Sequence, residues 1–190
     1  MSTALSSEAL WYLGRGTGVV ALVLLTVTVG LGVATGAGRP LPALPRSAVV
    51  LVHRNASLLA VSFLAVHVGS LLFDPYAQLR VVDLVLPFGG AYRPLWLGLG
   101  TAALDLILAI VVTSLARHRL GLRAWRAVHW LTYAAWPLAV LHAVGTGSDA
   151  GSLWLRVVAA GCVLTVAMSL AWRHQQSTAA ARPARSEVAA

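Results

Sequence analysis

At 190 residues, with 58% hydrophobic and 11% charged side chains and a mean hydropathy of +0.79, the chain is far more apolar than a soluble domain. Its net charge of +8 rests on 14 arginines and no lysine, set at the ends of apolar runs, which argues for membrane topology and anionic headgroups and against nucleic acid as a partner. A single cysteine, Cys162, excludes both an intrachain disulfide and a thiolate metal cage and reads as a small lipid-facing or packing residue.

In chain order, five apolar stretches each suffice for a hydrocarbon core of about 30 Å, which takes roughly 20 helical residues. They are residues 10–33, 48–73, 95–115, 125–144 and 153–172. The first follows Glu8 with no basic residue before it and is too long for a signal-peptide core, so it counts as a span. Gly14, Gly16 and Gly18 open it around Arg15; no strand precedes them, so close packing of a helix or a bound group explains them better than a phosphate loop. The first connection, with Gly36, Gly38, Pro40, Pro42 and Pro45, is a short turn region. The second holds residues 79–88, apolar but broken by Arg80 and Asp83, which suits a segment lying in the interface.

The predicted fold is therefore all-α: a polytopic helical bundle of five transmembrane helices. Residues 1–9 form an extracytoplasmic segment, residues 10–172 the membrane domain and residues 173–190 a disordered cytoplasmic tail of Ala, Arg, Pro and Ser. With five spans, one side collects Arg39, Arg46, Arg54, Arg117, Arg119, Arg123, Arg126, Arg173, Arg182 and Arg185, the other only Arg15, Arg80, Arg93 and Arg156. By the positive-inside rule the N-terminus lies outside and the C-terminus in the cytoplasm, in a multi-pass protein of the cell membrane.

Four of the six histidines fall within spans: His53 and His67 on the second, His129 and His142 on the fourth. An ionisable side chain in lipid is unfavourable, so four in two pairs point to function with partners facing one another. The 14-residue interval from His53 to His67 is an axial rise of about 21 Å on nearly one helix face, too far for one shared ion but suited to a separate haem near each surface. The 13-residue interval from His129 to His142 turns an ideal helix roughly 140° off register, and Pro137 between them offers a kink that re-aims the second ring. The two spans run in the same direction, which sets His53 level with His129 and His67 level with His142. Two imidazoles filling both axial positions of a haem iron leave a carrier of single electrons.

Haem propionates want cations, and Arg54, Arg123 and Arg126 flank the inner pair, although they also serve as ordinary positive-inside anchors. Arg80 and Arg93 are available to the outer pair, with Tyr76 as a hydrogen-bond donor. Asp105, midway along the third span, needs a partner such as Thr132 or Ser169, or else serves a proton or quinone. Trp96, Trp125, Trp130, Trp154 and Trp172 sit near span ends as interfacial belt residues, with Trp130 placed to pack on a haem face. His118 and His174 read as solvated.

The paired histidines, together with HRNASLLAVSFLAVH at residues 53–67 and AWRAVHWLTYAAWPLAVLH at residues 124–142, resemble the ferric reductase-like transmembrane domain family. That family includes the membrane portion of NADPH oxidases, metalloreductases and the haem subunit of bacterial methionine sulfoxide reductase systems. The likeness covers residues 11–144. It implies two stacked b haems, with His53 and His129 as inner ligands and His67 and His142 as outer ones. It also implies electron flow from a cytoplasmic flavin donor to an acceptor on the outer face. Many relatives continue into flavin- and NADPH-binding domains, whereas this sequence has none; a separate flavin reductase or a quinol is then the expected donor. The competing reading is a transporter or assembly protein that uses the intramembrane histidines and Asp105 for protons or cations without haem.

Overall fold

A largely apolar stretch with no interior proline makes the first helix, α1 (Ser2–Gly36), and its stretch Glu8–Ala34 is long and apolar enough to cross a membrane. The computed structural model describes residues 2–36, 45–75, 77, 79–90, 92–146 and 149–188. Most of the first connection and Tyr76 lie outside the described residues. The helix α2 (Arg46–Leu72) begins directly after Pro45, whose fixed φ of −66° suits a helix entry. A short 3₁₀ helix (Val81–Leu84) leads to α3 (Pro94–Leu115), again with proline in the first turn. Then come α4 (Arg117–His129), α5 (Thr132–Gly145) and α6 (Leu153–Val188).

Among the described residues four helices are long and apolar enough to cross a membrane, α1, α2, α3 and the stretch Leu153–Thr178 of α6. The fifth expected span is split. Residues 125–129 complete α4, the chain kinks at Trp130 and Leu131, and α5 is only 14 residues long. A specific hydrogen bond accompanies the break. The Thr132 hydroxyl donates to the His129 carbonyl at 2.7 Å, which is the acceptor a regular helix reserves for the Tyr133 N–H. That N–H goes instead to the Trp130 carbonyl at 3.1 Å, and Leu131 and Ala134 likewise bond three residues back, to Val128 and Leu131.

α1 is the mast of the bundle, packed against α2, α5 and α6, while α3 packs on α5. Its inward face is Ala21, Leu22, Val29, Val33 and Ala34, all buried. Leu22 meets Val140 and Cys162, so the cysteine is a packing residue and does not face lipid; Val29 and Val33 meet Val166, and Trp136 bridges both groups. The buried hydroxyls of Thr17 and Thr26 donate back to the carbonyls of Leu13 and Leu22, at 2.6 and 2.8 Å, which satisfies them without water. Thr26 also accepts from Trp136 Nε1 at 2.9 Å, tying α1 to α5.

α4 carries no buried residue and is interrupted at Gly121, where φ is +77°. Beyond the last apolar stretch, α6 continues through Val188, so residues 173–188 are helical where an unstructured tail was expected. Alanine, arginine and glutamine are strong helix formers, and a helix already nucleated in the apolar stretch extends through those that precede Pro183 at little cost. In the second connection Asp83 turns inward and is buried, while Val81, Val85 and Leu86 face out. Arg80 closes over Asp83 through its Nε and NH2 (3.1 and 2.9 Å) and its backbone N–H (3.0 Å), and Thr101 of α3 donates to the Asp83 carbonyl at 2.7 Å.

Candidate paired-histidine site

The bundle brings the four intramembrane histidines together in two pairs. The rings of His53 and His129 stand 6.4 Å apart centre to centre, and those of His67 and His142 also 6.4 Å, both edge to face. Two imidazoles on opposite sides of one ion, each at a metal–nitrogen bond of about 2 Å, place their ring centres roughly 6 Å apart. Both pairs therefore have the spacing of two axial ligands. Among the described residues no group of three or more His, Cys, Asp or Glu could hold a metal ion. Each pair offers two ligands only, and a macrocycle that brings its own four equatorial nitrogens is the group such a site suits.

Three of the four rings are clamped by backbone. His53 Nδ1 lies 3.0 Å from the Thr28 carbonyl, His67 Nδ1 2.7 Å from that of Gly14, and His142 Nδ1 2.9 Å from that of Trp96. A carbonyl only accepts, so each Nδ1 carries the proton and donates it, leaving the Nε2 lone pair free to bind a metal. Thr146 Oγ1, 3.2 Å from His142 Nδ1, adds a further neighbour. His129 differs: its Nδ1 is buried without a hydrogen-bond partner among the described residues, and its ring lies against Trp125, 5.0 Å away and tilted by 30°. Trp125 is itself held by its Nε1–H donating to Ser114 Oγ at 3.2 Å. Trp130, expected near a ligand face, is instead exposed and packs edge-on with Tyr133.

Glycines make room for the rings. A Cβ on Gly18 would stand 2.8 Å from the His67 ring, and one on Gly100 2.5 Å from His142 Nδ1, both impossible without displacement; on Gly32 it would meet His53 at an ordinary 3.5 Å. Beside the His67 and His142 pair opens a cavity of about 390 Å³, walled by apolar side chains such as Leu25, Leu64, Leu104 and Ile107. Its size falls within the range of small-molecule and cofactor pockets.

The charged candidates lie as follows. Arg54, Arg123 and Arg126 are exposed near the His53 and His129 end, and among the described residues none forms an ion pair. Arg93 donates through NH1 to the Gly145 carbonyl at 2.9 Å, capping the end of α5, and Arg80 is engaged by Asp83. Asp105 is half-buried on α3 without a hydrogen bond among the described residues. Thr132 and Ser169, its expected partners, donate elsewhere, Thr132 back across the α4–α5 break to the His129 carbonyl and Ser169 to Thr165 within α6. Sequence reasoning missed the ion pair between Arg15 on α1 and Asp149 before α6, both lining the cavity. Their separation of 134 positions left no local signal.

The structure thus combines several apolar helices with two matched histidine pairs. The family model of the ferric reductase-like transmembrane component matches residues 17–140, more than half of the chain, taking in His53, His67 and His129 and ending just before His142. Searches of curated proteins and of solved structures return no match. The chain belongs to the ferric reductase-like transmembrane component family, a membership that points to electron transfer within the membrane.

Proposed function

We propose that the protein binds two b-type haems, one between His53 and His129 and one between His67 and His142, and passes single electrons between the two membrane faces. The observation that carries this reading is the repeated 6.4 Å ring spacing, with three Nδ1 atoms turned onto backbone carbonyls. A haem held by these histidine pairs would supply an iron that exchanges single electrons. The chain's own part is positional. The Thr28, Gly14 and Trp96 carbonyls fix the ring planes and raise the basicity of the bare nitrogens, and the apolar walls keep water from the site.

The arginine distribution makes the His53 and His129 end cytoplasmic, in the cell membrane, where Arg54, Arg123 and Arg126 are placed to meet propionates. A separate flavin reductase or a quinol delivers the electron there, and an acceptor on the outer face takes it from the His67 and His142 end.

Purified protein expressed with adequate haem supply, examined by oxidised and dithionite-reduced spectra with haem quantified per chain, tests this. Low-spin b-type bands with about two haems per chain are expected. A colourless, folded protein would overturn the reading and return the histidines and Asp105 to proton or cation coupling.

A further inference from the structure

We propose that Trp125 is the positioning residue of His129, taking the part that a backbone carbonyl plays for the other three histidines, and that Ser114 acts through it. The proposal rests on the haem reading above and adds two residues to it.

His129 sits on a segment with little to hold it. α4 is interrupted at Gly121, and the chain kinks again at Trp130 and Leu131, so residues 122–129 form a short helical piece with a break at either end. Every residue of α4 is exposed except Trp125, Val128 and His129, which are half-buried. Positions i, i+3 and i+4 share one face of a helix, so these three make the strip by which α4 packs on α3. The histidine and the indole are therefore neighbours by helical register.

A carbonyl clamp decides both the plane of an imidazole and which nitrogen carries the proton. His53, His67 and His142 have one; the His129 Nδ1 is buried with no partner among the described residues, so no hydrogen bond there fixes its ring. What meets its face is the indole of Trp125, 5.0 Å away and tilted by 30°, inside the range of about 4.5–7 Å at which aromatic rings attract. Turning the imidazole about its Cβ–Cγ bond forfeits that contact, so the indole holds the ring plane. Trp125 is held in turn, because its Nε1–H donates to Ser114 Oγ near the end of α3 at 3.2 Å. An indole has a single donor, and this one bond settles which way its ring faces. A tryptophan that reads in the sequence as a belt residue thus carries orientation from α3 to the ligand on α4.

The experiment uses the full chain in detergent, comparing wild type, W125A, W125F, S114A and the W125F S114A double variant. Electron paramagnetic resonance of the oxidised protein reads the angle between the two imidazole planes of each haem through its largest g value. Carbon monoxide uptake by the dithionite-reduced protein reads whether an imidazole has let go. W125A is expected to move one of the two low-spin signals, the one that survives in H67A and is lost in H53A, and to take up to about one carbon monoxide per chain where wild type takes none. W125F keeps the aromatic face without its anchor, and S114A removes the anchor itself; both should move the same signal, and by less than W125A. Adding S114A to W125F should change nothing further, because the hydroxyl acts only through the indole N–H. If W125A fails to fold, the W125F and S114A cycle bears the test. Unmoved signals without carbon monoxide uptake, or a shift confined to the haem of His67 and His142, overturns the assignment of Trp125 alone; additive effects in the double variant overturn the link to Ser114. A wild type without haem overturns the underlying reading with it.

Discussion

His67 Nδ1 lies 2.7 Å from the carbonyl oxygen of Gly14, so a ring on α2 is oriented by a backbone atom 53 residues earlier in the chain. The same device recurs from His53 to Thr28 and from His142 to Trp96. Three of the four candidate ligands are thereby set by a helix other than their own, and disturbing the supporting helix should register at the site as directly as disturbing the ligand.

Removal of the ligands should follow the pairs and not the helices. H53A and H129A are expected to lose the same haem and give matching residual spectra, H67A and H142A the other, each falling from about two haems per chain to about one. Haem quantification with redox titration of the remaining centre checks this; four variants that all retain full haem would exclude the assignment.

Glycine substitutions should rank by the space each ring leaves. G100A drives a methyl against His142 and G18A one against His67, and overpacking of this kind costs about 1–3 kcal/mol. Both should lower occupancy of the haem at the His67 and His142 end. G32A meets His53 at ordinary contact distance and should leave the spectrum unchanged, while G16A, with nothing within 4 Å, should gain about 0.5–1 kcal/mol from a better helix former. Detergent melting curves alongside haem content give both readouts.

Asp83 links the second connection to pH. The Arg80 side chain, and then its backbone N–H, hold this carboxyl below the ordinary carboxylate range. A depressed carboxylate stabilises the fold at any pH above its unfolded value of about 3.9 and loses that contribution as pH falls through the lower folded value. The difference in melting temperature between wild type and D83N should therefore be constant above about pH 5 and shrink steadily in acid. A difference that grew as pH fell would contradict the ion pair with Arg80.

The Trp136 indole donates to Thr26 across α1 and α5 and packs between the two buried clusters. W136F keeps the ring and loses the bond, which should cost about 0.6–1.5 kcal/mol, the range for interhelical bonds in membranes and in water. W136A also opens a cavity and should cost about 3–5 kcal/mol. Unfolding in mixed micelles measures both.

Much of this arrangement is written in the sequence because lipid makes polar residues conspicuous. His53, His67, His129 and His142 stand out from apolar runs, and helical periodicity alone sets His53 and His67 on one side of α2. Periodicity left His142 misdirected, and the chain recovers part of the missing turn immediately after His129. Bonds three residues back around Trp130 and Leu131 advance the helix by about 120° per residue in place of 100°, recovering about 20° at each step. The apolar pattern runs unbroken through that kink, so the split of the fourth span could not be read from hydropathy. Nor could the clamps at Gly14, Thr28 and Trp96, since every residue has a carbonyl and only packing decides which one meets a histidine. Arg15 and Asp149, far apart in sequence, were hidden for the same reason.

The position of α1 carries a consequence for biogenesis. Two of the three carbonyl clamps, Gly14 and Thr28, belong to α1, and the rings they hold, His67 and His53, belong to α2. The first helical hairpin to enter the bilayer therefore contains one oriented histidine of each pair before α3 has been synthesised. The later helices close two half-built sites against an existing template, so cofactor capture can accompany insertion of the chain, with the second hairpin arriving as the lid of both compartments.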